Sequence, residues 1–121
     1  MIDPINIAAK LAQIDDHWNP RIVGEVNGQY VMLVKVRGEF VWHHHALEDE
    51  LFQVLQGTLF IDFADHTATV RAGEIIIVPR GVEHRPRTNG EEVHVLLFEQ
   101  KSVQHTGNVQ HERTVKEFKR L

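Results

Sequence analysis

Between Tyr30 and Gln100, apolar residues alternate with polar ones or gather in short runs, and turn-forming residues interrupt them at close intervals. The stretches YVMLVKV (Tyr30–Val36), FVWHHH (Phe40–His45), ELFQVL (Glu50–Leu55), TLFIDF (Thr58–Phe63), TATVR (Thr67–Arg71), EIIIV (Glu74–Val78) and VHVLLFEQ (Val93–Gln100) are rich in β-branched and aromatic side chains. RGE, QG, ADH, AG, RG and NGEE separate them, and such punctuation marks strands joined by tight turns. Short strands at this spacing, with no strong helical period between them, predict an all-β sandwich or barrel. Ahead of them, Ile7, Leu11 and Ile14 keep a weak helical spacing until Trp18, Asn19 and Pro20 break it, so a short N-terminal helix is expected. The tail, HTGNVQHERTVKEFKRL, is polar, and RTVKEF within it reads as a last edge strand. A single domain over residues 1–121 follows, with its core at about 28–100.

Composition narrows the chemistry. The chain has no cysteine, so disulfides and thiolate metal sites are excluded, and any metal must be held by imidazole nitrogen and carboxylate oxygen. A net charge of −4 argues against nucleic acid or an anionic membrane as the main partner. The N-terminal MIDPINIAAKLAQIDDH lacks the basic start and apolar core of a signal peptide, and no apolar run is long enough to cross a bilayer. The expectation is a cytoplasmic protein with no membrane partner. Nine histidines in 121 residues is a high number.

Three of those histidines are consecutive. Side chains alternate along a strand, so His43 and His45 project together while His44 points away, and a two-residue step is what chelation from a strand requires. Glu50 opens the next strand on the same face as Phe52 and Val54. If these point inward, the carboxylate does too, at high cost unless a cation or donors satisfy it. Asp49 has the opposite parity, and Glu48 is the stand-in if the strand begins early. A solvated His/acid loop explains the stretch equally well when taken alone. The second stretch, GEIIIVPRGVEH (Gly73–His84), ends an apolar strand at Pro79, turns at Gly81 and places His84 just beyond, able to point inward.

Together the two stretches resemble the cupin superfamily, whose first motif runs G(x)5HxH(x)3,4E(x)6G and whose second runs G(x)5PxG(x)2H(x)3N. His43, His45, Glu50 and Gly57 match the first; the leading glycine, Gly38, lies one residue too close to His43. Gly73, Pro79, Gly81 and His84 match the second, while Thr88 occupies the place of its closing asparagine and Asn89 follows. The resemblance implies a jelly-roll β-barrel and one divalent metal (Zn, Mn, Fe, Ni, Co or Cu) held by His43, His45, Glu50 and His84. Within the superfamily the chain is similar to bacterial proteins labelled mannose-6-phosphate isomerase-like, a label of similarity rather than of activity. Small cupins of this kind are commonly homodimers, and the outward-pointing Leu51, Leu55 and Trp42 suggest the partner surface.

The function expected is a metal-dependent enzyme on a small polar or anionic compound, isomerase-like or dioxygenase-like. The alternative is a non-catalytic module that binds a small molecule or sugar around a structural metal. Val41, Phe52, Val54 and alternate residues of Glu74–Val78 are expected to wall the pocket. Lys35, Arg85 and Arg87 are the cations nearest the motifs and the candidates for an anionic substrate, although a surface role is the more common fate of such residues. His94 shares a face with Leu96 and Phe98 and reads as structural; His17 and His66 read as solvated, and His105 and His111 fall in the tail without readable chemistry.

Overall fold

The computed structural model describes residues 2–101, 106–109, 111, 114, 115 and 117–121. After a five-residue helix α1 (Ile7–Leu11) come β1 (Arg21–Val26), β2 (Gln29–Val36), β3 (Glu50–Gln56), β4 (Thr58–Asp62), β5 (Thr67–Arg71), β6 (Ile75–Val78), β7 (Arg85–Arg87), β8 (Val93–Gln100) and β9 (Lys119–Arg120). They form a six-stranded sheet ordered β6-β3-β8-β2-β1-β9 and a three-stranded sheet ordered β5-β4-β7. All pairings are antiparallel except that of β9 with β1.

Alternation decides what each strand buries. On β3, Glu50, Phe52 and Val54 face inward, and on β8, Val93, Val95, Leu97 and Glu99 do. Met32, Val34 and Val36 of β2 join them, and the smaller sheet contributes Leu59, Ile61 and Val70, so the two sheets close on one apolar core. A second cluster forms on the outer face of the larger sheet, where Leu11 and Ile14 of the N-terminal segment cover Leu33. That burial, more than helix propensity, holds so short a helix in place.

Three departures from expectation have local causes. Phe40–His45 is extended, but among the described residues it and the preceding Glu39 make only isolated bridges, Glu39 with Arg87 and His43 with His84, so it is a crossing segment between sheets rather than a strand. The strand β1 escaped detection because Gly24 and the charges around it mask its apolar residues. It pairs with β2 through a two-residue Asn27–Gly28 turn in which both residues have positive φ, the hairpin geometry that matches strand twist. The last edge strand lies at Lys119–Arg120, just beyond RTVKEF; of that hexapeptide, Arg113 and Lys116 lie outside the described residues.

Candidate metal centre

The crossing segment and the turn after β6 build one site. His43 N–H donates to the His84 carbonyl at 3.0 Å and His84 N–H returns a bond to the His43 carbonyl at 2.8 Å, which sets the two residues side by side. Gly81, at φ +81°, turns the chain with no steric neighbour, so only its backbone angle demands glycine; its N–H donates to the His45 carbonyl at 2.8 Å. At the far end of the crossing segment, Gly38 and Thr88 exchange bonds, Thr88 N–H to the Gly38 carbonyl and Gly38 N–H to Thr88 Oγ1, both 2.9 Å. The residue that replaces the motif's asparagine thus ties the same two segments together.

His43, His45, Glu50 and His84 are all buried, and one ligand atom from each lies within 4.8 Å of the others. The imidazole orientations are set by backbone carbonyls: Nδ1 of His43 lies 2.8 Å from Val41 O and Nδ1 of His84 lies 2.9 Å from Val82 O. A carbonyl only accepts, so each Nδ1 carries a proton, and in the neutral ring each Nε2 presents a lone pair to the cluster. His84 Nε2 then faces Glu50 Oε1 at 3.2 Å, and His45 Nε2 lies 3.4 Å from Glu50 Oε2 without a regular hydrogen bond. Lone pairs pointed at a carboxylate repel unless a proton or a cation sits between them. The donor set therefore fits a divalent ion taking nitrogen and oxygen ligands.

Electrostatics agree. Burial, reinforced by neighbouring His84, pulls His43 down to about 4, so its ring is neutral at physiological pH. Burial would push Glu50 up, but its neighbours Glu99, His45 and His84 outweigh it and hold the carboxyl well below its ordinary range. For His45, burial pulls down and Glu50 more than compensates, leaving it raised. Glu99 is the residue that sequence reasoning missed. It is buried, its oxygens find no regular hydrogen-bond partner among the described residues beyond the Glu50 carboxyl beside it, and burial together with the Glu50 charge drives it well above the ordinary carboxylate value. It stands across from Glu50, one step past the Leu51–Phe98 pair. Strand parity could have found it, because Glu99 continues the inward row Val93, Val95, Leu97.

Other candidates lie elsewhere. Arg85 and Arg87 flank the inward-facing Pro86 and point out of the barrel, where both bond Asp62 Oδ2. Arg85 also lies over the Trp42 ring and Arg87 over Phe60. Lys35 donates to the Ile14 carbonyl at 2.7 Å. His94 and His17 share the Glu92 carboxylate, at 2.9 and 2.8 Å, away from the cluster, so His17 is paired rather than merely solvated. His66 pairs with exposed Asp65, His44 with Glu83, and Asp49 with Arg80; Glu48 is half-buried and is not one of the four; His105 lies outside the described residues.

A cavity of about 40 Å³ adjoins the cluster, with His43 and Glu50 at its edge. Of the expected walls only Phe52 borders it; the rest come from β2, β4, β7, β8, the crossing segment and the stretch before β1, including Val36, Leu59, Pro86, Val95 and Phe40. Trp18, which carried no expectation, borders it and stacks on Phe40 with centroids 4.6 Å apart. The tail also contributes: Asn108 exchanges bonds with the His44 backbone, N–H to carbonyl at 3.0 Å and Oδ1 from N–H at 2.9 Å, while Gly107 packs against His44 and His43.

Residues 30–99 match the family model described as Cupin domain, more than half of the chain. The chain belongs to the cupin family. This cupin is 46% identical over 67 residues to the uncharacterized protein YdbB of Bacillus subtilis (strain 168), a match that takes in 54% of this chain and 59% of that protein. Among solved structures it resembles a cupin-2 domain containing protein from Shewanella frigidimarina NCIMB 400, at 45% identity and TM-score 0.78 over 80% of this chain and 94% of that one. The protein NMB1881 from Neisseria meningitidis is 35% identical with TM-score 0.74, over 82% of this chain and all of that one (100%). These likenesses bear on the cupin fold, a single domain with a very short N-terminal helix, and carry no support for isomerase-like kinship.

Proposed function

We propose that this cupin is a metal-dependent enzyme acting on a small molecule, and that His43, His45, Glu50 and His84 hold one divalent ion. The observation that carries the reading is the convergence of buried imidazole Nε2 lone pairs on a buried carboxylate. Bound there, a first-row divalent ion would supply Lewis acidity and, if octahedral, open positions for a ligand. The chain's own part is to fix both Nδ1–H groups on the Val41 and Val82 carbonyls and to offer an adjoining cavity walled in part by Trp18 and Phe40. Zn, Mn, Fe, Ni, Co and Cu all suit this donor set.

The test is elemental analysis of protein purified without a histidine tag or metal column, beside His45→Ala. Near-stoichiometric metal that disappears in the variant supports the assignment, and wild-type protein that stays metal-free after reconstitution overturns it. Metal without turnover over a panel of small molecules moves the reading to the binding module with a structural metal. We place the protein in the cytoplasm; among the described residues no helix is long and apolar enough to cross a membrane. A homodimer forms part of the same proposal, supported by the exposed Ile75 and Ile77 beside Leu51 on the outer face of the larger sheet. A monomer in light scattering at micromolar concentration would remove it.

A further inference from the structure

We infer that the cavity beside the four-residue cluster takes a small apolar molecule that presents one metal-directed oxygen group, and that it rejects any ligand carrying a second charged group. The inference rests on the metal reading for the anchoring end and on the cavity wall for the rest of the ligand. Apart from His43 and Glu50, every side chain that borders the cavity is apolar or aromatic. Among the remaining side chains the one polar atom is Trp18 Nε1, and that N–H is spent on the Arg37 carbonyl at 2.9 Å. A phosphate, a distal carboxylate or a row of sugar hydroxyls would therefore be buried without partners, which costs several kcal/mol for a charge.

The cations that could change this face elsewhere. Between Arg85 and Arg87, it is Pro86 that borders the cavity, and strand alternation sends both guanidinium groups to the outer surface, where Asp62 holds them. Lys35 is occupied at the Ile14 carbonyl. On this inference an anionic substrate is disfavoured, and the cations that a phosphosugar would need are absent from the cavity wall.

Size points the same way. About 40 Å³ beside the cluster suits a short apolar tail better than a sugar ring. Trp18 is one wall of this space, and its backbone sits at φ +59°, a region that bulky residues avoid. It is held there by its own N–H on the Lys35 carbonyl at 2.9 Å, by its indole N–H and by the Phe40 stack. Strain maintained by so many contacts is characteristic of a wall with a job to do.

The experiment compares two ligands of equal chain length and the same metal-chelating end, butyrohydroxamate and succinic monohydroxamate, which differ by a distal methyl against a distal carboxylate. Binding to metal-reconstituted protein is read from Trp18 fluorescence in a Trp42→Phe background, since Trp18 and Trp42 are the only tryptophans. Butyrohydroxamate is expected to bind about tenfold tighter or better. Equal binding, a preference for the carboxylate, or no binding of either by protein that holds metal overturns the inference. Xenon uptake by metal-free protein, followed through methyl resonances of Val36 and Val95, decides the apolar character without any metal: shifts at these methyls support it and their absence overturns it. Elemental analysis of each preparation shows whether a failure belongs to the metal reading or to this one.

Discussion

Asp62 is a strong test of the electrostatics that keep Arg85 and Arg87 outside the barrel. Its Oδ2 accepts from Arg85 Nη2 and Arg87 Nε, both at 2.8 Å, and from Arg85 Nε at 3.1 Å, while Thr67 donates to Oδ1 at 2.7 Å. Partial burial alone would raise its pKa; the bonds from Arg87, Thr67 and Arg85 more than offset that and bring it from 3.8 down to about 2. That difference corresponds to about 2 kcal/mol of stability at neutral pH. The side chain is 10% exposed but lies close under the surface, so solvent screening trims the figure to about 1–2 kcal/mol. The folded-state value is depressed, so the contribution is complete above the unfolded value near 4 and is lost as pH falls through 3.8 toward 2. Asp62→Asn keeps the shape and removes the charge. Urea unfolding at pH 7 is expected to show the variant about 1–2 kcal/mol less stable, a loss of roughly 3–8 °C in Tm. The gap between wild type and variant should narrow steadily between pH 5 and pH 2. A gap of the same size at both ends of that range, or none at pH 7, would refute the reasoning.

Other perturbations test the remaining parts of the structure. Gly107→Ala places a methyl against the His44 carbonyl at φ +58° and should cost roughly 2–4 kcal/mol, bounded by undocking of the tail; unfolding free energy and faster hydrogen exchange at the His44 amide report it, and unchanged exchange would contradict the packing. Met32→Ala removes a fully buried side chain from the core and is expected to lose about 2–5 kcal/mol; a loss under 1 kcal/mol in urea would show that this part of the core can collapse. Chelation of a metal-loaded preparation should lower Tm, because an ion bound only by the folded state stabilises by about 2.7 kcal/mol at one hundred times its Kd, and His45→Ala should show no such drop.

Much of the fold was legible in the sequence because a half-buried strand must alternate. The parity of ELFQVL placed Glu50 with Phe52 and Val54, and the two-residue step of His43 and His45 put them on one side; both arrangements appear in the structure. Parity could also have exposed Glu99, and the Asn27–Gly28 pair could have exposed β1, since both are local signals. Tertiary structure alone decided the rest, because these features depend on which distant segments meet. No local pattern says that Trp18 would stack on Phe40 and line the cavity, or that Gly107 and Asn108 would pack on His44 from the tail. Nor could sequence proximity to the motifs tell which way Arg85 and Arg87 point. Pro86 between them faces the core, and the carboxylate that holds them comes from β4, more than twenty residues earlier in the chain. Alternation is written into each strand by its own side chains; the company that a side chain keeps is set by the packing of the whole.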